Sequence, residues 1–157
     1  MELRWFLEIF QQERICIFPP PPLDKEEMIR RLVEVLKSTQ QITEEEEVLQ
    51  AVLERERCMT TGIGGGLAIP HGKSVFVDSL AAALGVVPEG MDFEAMDQRP
   101  VFVVALIVSH PTQPHLHLRV ISEISKRFRL PELQQSLIRS QTPSEVFRSL
   151  KEALSQS

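Results

Sequence analysis

Cysteine is nearly absent. Cys16 and Cys58 are the only two in 157 residues, too few for a disulfide framework, and they read as reduced thiols of a cytoplasmic protein. The start, Met1-Glu2-Leu3-Arg4-Trp5, lacks the basic head, long apolar middle and small-residue cleavage site of a secretion signal. No apolar run approaches the ~20 residues that span a bilayer. The longest are at 80–87 and 101–108, so no direct membrane insertion is expected. A basic excess is missing too. The formal net charge is -5 and no basic patch stands out, which argues against a nucleic-acid partner. The acidic run Glu44-Glu45-Glu46-Glu47 reads instead as the first turn of a helix, where carboxylates favour the positive end of the dipole. Metal-ligand spacing is also lacking. His115 and His117 alternate as strand ligands would, but on a helix they stand about 200° apart. No cysteine or carboxylate completes a set, so neither metal nor cofactor is expected.

What is present is an ordinary globular balance, 43% hydrophobic and 25% charged residues. The length suits one domain over 1–157, with 1–14 a short N-terminal helix packed on it. The stretch Pro19-Pro20-Pro21-Pro22 reads as a stiff extended connector. Asp24 with Glu27 forms a capping box for a first helix whose apolar face is Met28, Leu32, Val33, Val35 and Leu36. Thr43 with Glu46 predicts a second helix running to about Arg57. The runs at 80–87 and 101–108 predict strands buried on both faces, with turn residues between them. A third helix is expected over 113–128 and a shorter one after Pro131. Thr142, Pro143 and Glu145 open the last. The intermixing predicts an α/β sandwich, a mixed central sheet flanked by helices.

Five of the seven glycines (62, 64, 65, 66 and 72) crowd into Thr61-Gly62-Ile63-Gly64-Gly65-Gly66-Leu67-Ala68-Ile69-Pro70-His71-Gly72-Lys73. The backbone there must turn tightly or admit a close neighbour. Gly72-Lys73-Ser74 invites a nucleotide reading, but the spacing fails. A phosphate-cradling loop needs four residues between its glycines, and Gly66 and Gly72 are separated by five, one of them proline. The dinucleotide fingerprint fails as well, because Ile69 stands where its third glycine belongs. That leaves His71, held between Pro70 and Gly72. An imidazole so placed can bond one ring nitrogen to a backbone carbonyl and present the other outward, as a nucleophile requires. An ordinary loop histidine is the alternative.

These thirteen residues resemble the active-site signature of fructose/mannitol-type enzyme IIA domains of the bacterial phosphoenolpyruvate phosphotransferase system, a group that includes nitrogen-regulatory IIA proteins. Flanking segments match in order: Leu53-Glu54-Arg55-Glu56, then Met91-Asp92-Phe93-Glu94-Ala95-Met96-Asp97 with Pro100-Val101, then His117-Leu118-Arg119-Val120-Ile121-Ser122. One departure is Gly65, where the family usually has asparagine. The resemblance implies that His71 is the phosphoryl acceptor. It implies that Thr61, Gly62, Gly64, Gly66 and Gly72 form the phosphoryl-site loop, and that an arginine and a second histidine assist.

Helix geometry helps to choose these. On the second helix the apolar stripe Val48, Leu49, Val52 and Leu53 brings Arg55 and Glu56 to the inward side and turns Arg57 outward. Arg55 is therefore the expected active-site arginine. Glu56 is a supporting residue, with a structural ion pair as the alternative. On the third helix His117 shares the stripe with Ile121 and Ile124 while His115 points away, so His117 is the expected second histidine.

The implied function is a phosphoryl carrier. A histidine-containing phosphocarrier protein would be the donor, and a IIB domain or a regulated protein the acceptor. The absence of a fused transporter segment favours a nitrogen-type regulatory role over sugar uptake. A non-phosphorylated interaction module and a His71-dependent hydrolase are the rivals. The first is disfavoured by His71, Arg55 and His117 occurring together, the second by the lack of a serine or cysteine nucleophile placed with a base.

Overall fold

The computed structural model describes residues 2–155; Met1, Gln156 and Ser157, at the ends of the expected 1–157 domain, lie outside the described residues. The order is α1 (Glu2–Ile9), a 3₁₀ turn (Gln12–Arg14), β1 (Ile15–Ile17), α2 (Lys25–Ser38), α3 (Glu45–Cys58), β2 (Gly62–Gly64), β3 (Leu67–Ala68), β4 (His71–Lys73), β5 (Leu80–Met91), β6 (Val101–Ser109), α4 (Pro114–Phe128), α5 (Pro131–Arg139) and α6 (Pro143–Ser155). The six strands form one mixed sheet in the order β1-β5-β6-β3-β2, with β4 also on β6. Strands β3 and β4 lie one after the other along the same edge of β6, both parallel to it: Leu67 faces Val103, and His71 faces Ile107.

Period-two alternation along β6 divides the core. Val104, Leu106 and Val108 pack with Met28, Leu32, Val48 and Val52 from α2 and α3. Val103, Ala105 and Ile107 pack on the opposite face with Phe6, Val120, Ile124, Phe128, Leu137 and Val146. This is the expected α/β sandwich. The N-terminal helix α1 is fastened by rings, Phe6 and Phe10 lying 5.3 and 5.6 Å from Phe128 between centroids.

Local signals explain the helix starts. Asp24 accepts from the amide of Glu27 at 2.8 Å, and the Glu145 amide donates to Thr142 Oγ1 at 3.1 Å, the forward half of a capping box in each case. The Glu27 carboxylate instead accepts from Arg31 at 2.9 Å, and that of Glu145 from the Gln141 amide at 2.7 Å. Thr43 is not a cap. Helix α3 begins after Glu44, which provides no side-chain cap. The Thr43 amide is instead bound to the Phe76 carbonyl at 3.0 Å, next to a bridge between Ile42 and Val77. That long-range pairing holds 42–43 extended and delays the helix. Two other expectations need adjustment. The proline connector bends at Pro20 and Pro21 rather than running straight, and β5 continues past residue 87 to Met91.

Candidate functional site

The glycine-rich segment is not one loop. Gly62–Gly64 and Leu67–Ala68 are the arms of a hairpin, and its turn runs through Gly64, Gly65 and Gly66 at φ +93, +67 and +81. That is left-handed backbone, which side chains resist. Gly65 is in a conformation that asparagine also tolerates, so the turn survives the departure from the family pattern. The hairpin tip binds elsewhere in the chain: the Gly65 amide donates to Asp97 Oδ2 at 3.0 Å, and Gln134 Nε2 donates to the Gly65 carbonyl at 2.6 Å.

His71 is the first residue of a strand rather than a loop residue. The chain leaves β3 at Ala68, passes Ile69 and Pro70, and rejoins β6 through a hydrogen bond from the Ile107 amide to the Pro70 carbonyl. Alternation then assigns each side chain. His71, opposite Ile107, faces the α4 side, and its ring meets His117 edge-on with centroids 5.3 Å apart. Gly72 faces the α3 side. A Cβ there would lie 3.2 Å from both the Val52 amide nitrogen and Val52 Cγ2, so only glycine lets α3 come this close. The approach brings the C-terminal turn of α3 beside His71. The cleft is lined by Ala51, Glu54, Arg55 and Cys58 from α3, His71, Gly72 and Lys73 from β4, and His117 from the first turn of α4.

Within the cleft the two imidazoles are anchored differently. Nδ1 of His71 lies 2.8 Å from the Ile69 carbonyl. A carbonyl only accepts, so Nδ1 carries the proton and Nε2 is left with its lone pair. Nδ1 of His117 meets the hydroxyl of Ser109, the last residue of β6. Burial holds the His71 imidazole below its ordinary value; the Ile69 carbonyl pulls the other way, and Arg55 and Lys73 add to the lowering. His117 is pushed down to about 4 by burial, with His71 and Lys73 contributing. The positive N-terminal end of α4 acts in the same sense. Both rings are therefore neutral at pH 7, as a nitrogen nucleophile must be.

Arg55 is half-buried and spends one N–H on the Met59 carbonyl at 2.8 Å. Arg57 turns outward and pairs with Glu26 at 3.4 Å, as the stripe predicts. Glu56 is buried but does not line the cleft. It takes Lys25 at 3.1 Å, the Thr61 amide at 2.9 Å and the Thr61 hydroxyl. This is the structural pairing foreseen as its alternative: Glu56 fastens the end of α3 to the start of the hairpin. Burial alone would lower the Lys25 pKa, but Glu56 and Glu94 outweigh it and raise it.

The structure thus brings together His71, Gly72, Arg55 and His117. Thr61 and Gly62 sit against Glu56 and Ala95. Gly64 and Gly66 belong to the turn, whose Gly66 carbonyl is bound by Phe102 and Val103. Four to five strand residues separate that point from the His71 position, about 15 Å. The amides of Gly62 and Gly65 are already bound to Thr60 and Asp97. Those two amides are therefore not free for a group on His71, while the Thr61 carbonyl accepts from the Ile69 amide at 2.9 Å and keeps the start of the loop two residues from His71. Sequence reasoning missed Lys73 and Ser109. Seeing β4 as a strand puts Lys73, two residues on, on the His71 side. Ser109 is the polar end of an otherwise apolar strand.

Among the described residues no group of three or more metal-ligating side chains is placed to hold an ion, and no helix is long and apolar enough to cross a membrane.

Comparison with known proteins gives the family. A fructose-specific EIIA component from Haloferax volcanii is 30% identical over 134 residues, 85% of this chain and 87% of that protein. A nitrogen regulatory protein from Klebsiella oxytoca is 32% identical over 109 residues, 68% of this chain and 66% of that protein. A fructose-specific EIIABC component from Bacillus subtilis is 30% identical over 123 residues, 78% of this chain, which spans 19% of that longer protein. Among solved structures, the nitrogen regulatory protein IIA-Ntr from Neisseria meningitidis superposes with a TM-score of 0.81 at 24% identity, covering 91% of this chain and 97% of that one. The IIA mannitol protein from Escherichia coli gives 0.75 at 24%, covering 89% and 97%. The family model for the phosphoenolpyruvate-dependent sugar phosphotransferase system, EIIA 2, matches residues 8–153, and the chain belongs to that family.

Proposed function

We propose that the chain is a phosphoryl carrier and that His71 Nε2 is the atom that takes the group. The observation that carries this reading is the His71 ring itself: proton fixed on Nδ1 by the Ile69 carbonyl, lone pair on Nε2, and a cleft open on that side. The donor is a phosphorylated histidine-containing phosphocarrier protein. Nε2 attacks phosphorus in line; the P–N bond to the donor imidazole breaks, and that ring leaves with the bonding pair. Arg55, Lys73 and His117 surround the transferring group with positive charge and donors, the kind of stabilisation on which phosphoryl transfer depends. Nδ1–H stays on the carbonyl, so His71 departs as a neutral ring when it passes the group on. Met59 and Leu118 are large, exposed apolar side chains next to Cys58 and His117, and they suit a docking rim for the donor.

A fructose-specific relative and a nitrogen regulatory one stand at similar identity, 30% and 32%. The acceptor is a IIB domain in the first role and a regulated protein in the second. The solved complex of Escherichia coli IIA mannitol with its phosphorylated IIB, matched at 25% identity, supports a IIB-type acceptor surface on this fold. The test supplies phosphoenolpyruvate, enzyme I and the phosphocarrier, and reads intact mass. A gain of one acid-labile phosphoryl group, absent in His71→Ala, supports the carrier. No gain with the native donor proteins leaves an interaction module. Adding IIB and timing the loss of the label then separates the two roles.

A further inference from the structure

Ser109 is fully buried, 0% exposed, at the end of a strand whose other residues are apolar. Among the described residues its hydroxyl has one hydrogen-bond partner, Nδ1 of His117. Its alternation places it on the α4 face, beside the strand position of Lys73 and two residues from that of His71. A hydroxyl offers one proton and two lone pairs, whereas a neutral imidazole has one nitrogen of each kind. If Nδ1–H donated to Oγ, the serine proton would be left in an apolar interior without an acceptor, which is costly. If the serine donates, both groups are satisfied.

We propose that Ser109 is a positioning residue for the phosphoryl transfer described above: its O–H donates to Nδ1 of His117 and fixes that ring as the Nε2–H tautomer, which turns an N–H donor towards the phosphoryl group on His71. The two rings then have complementary roles set by two different anchors. The Ile69 carbonyl makes His71 an Nε2 acceptor and nucleophile; the Ser109 hydroxyl makes His117 an Nε2 donor. A carbonyl in place of Ser109 would turn His117 the other way and set its lone pair against the phosphoryl oxygens.

The inference rests on the carrier reading for its purpose, but its first test does not. Long-range proton–nitrogen correlation on unphosphorylated, [15N]histidine-labelled protein near pH 7.5 reads both tautomers directly, with His117→Gln identifying the His117 signals. Expected are a protonated Nε2 on His117 and a protonated Nδ1 on His71. Ser109→Ala should release the His117 bias to a mixture and slow phosphoryl acceptance on the order of tenfold. Ser109→Thr, which keeps the hydroxyl, should retain the tautomer and recover most of the rate. Wild-type His117 protonated on Nδ1 overturns the proposal, and this holds even if the alanine variant does not fold. An unchanged His117 tautomer in folded Ser109→Ala, or an unchanged transfer rate, overturns it as well. Failure of the carrier assay with the tautomers as expected sinks the carrier reading and leaves the Ser109–His117 assignment in place.

Discussion

The two ends of the glycine-rich segment do different work although a single sequence signature spans both. At the hairpin end, Gly64, Gly65 and Gly66 adopt left-handed backbone, and the polar groups there are consumed by Asp97, Gln134 and the start of β6. At the strand end, Gly72 has no positive φ to satisfy. It is needed because α3 crosses its face, and the reward is a cleft containing His71, Arg55 and His117. Contiguity in sequence thus does not mean contiguity in the site. The hairpin shapes the edge on which β4 is laid, and β4 carries the chemistry.

Acid should separate the two ends most strongly. His117 titrates near 6.5 in the unfolded chain and at about 4 when folded, so between those values the unfolded chain binds more protons. Stability is complete above about pH 6.5 and is lost as the pH falls towards 4, by up to about 3 kcal/mol from this group. His71, lowered in the same direction, adds to it. Denaturant unfolding at pH 7 and pH 4.5 checks this, and His117→Gln should flatten the difference; an unchanged slope would place the strain elsewhere. Next comes Gly72→Val. It forces a side chain into the Val52 backbone, at a cost of about 2 kcal/mol, and it should slow phosphoryl acceptance in the protein that still folds, because α3 carries Arg55. The smallest effect is that of Gly66→Ala. Its φ of +81 and the Gln134 amide 2.6 Å from the new Cβ should remove about 1–2 kcal/mol, while transfer by the folded protein stays within about twofold. A rate loss in Gly66→Ala as large as that in Gly72→Val would erase the distinction between the ends.

Much of this was legible in the sequence. Periodicity placed the buried strands and the helices, and stripe geometry separated Arg55 from Arg57 and His117 from His115. What it missed has one physical origin: partners distant in sequence. Thr43 has every local feature of a cap, yet Phe76 takes its amide. His71-Gly72-Lys73 has no strand propensity, and it is a strand because the free edge of β6 pairs with it. Once β4 is missed, Lys73 and Ser109 cannot be assigned to the site, since both assignments depend on register. The Glu56 role was similarly undecidable until Lys25 and Thr61 were seen to converge on it.

The most direct test of the central claim is to locate the phosphoryl group in the wild-type protein by phosphorus and nitrogen NMR after charging with phosphoenolpyruvate, enzyme I and the phosphocarrier. The account predicts phosphorus bonded to Nε2 of His71, with Nδ1 still protonated against the Ile69 carbonyl. Phosphorus on Nδ1 of His71, or on His117, would contradict it.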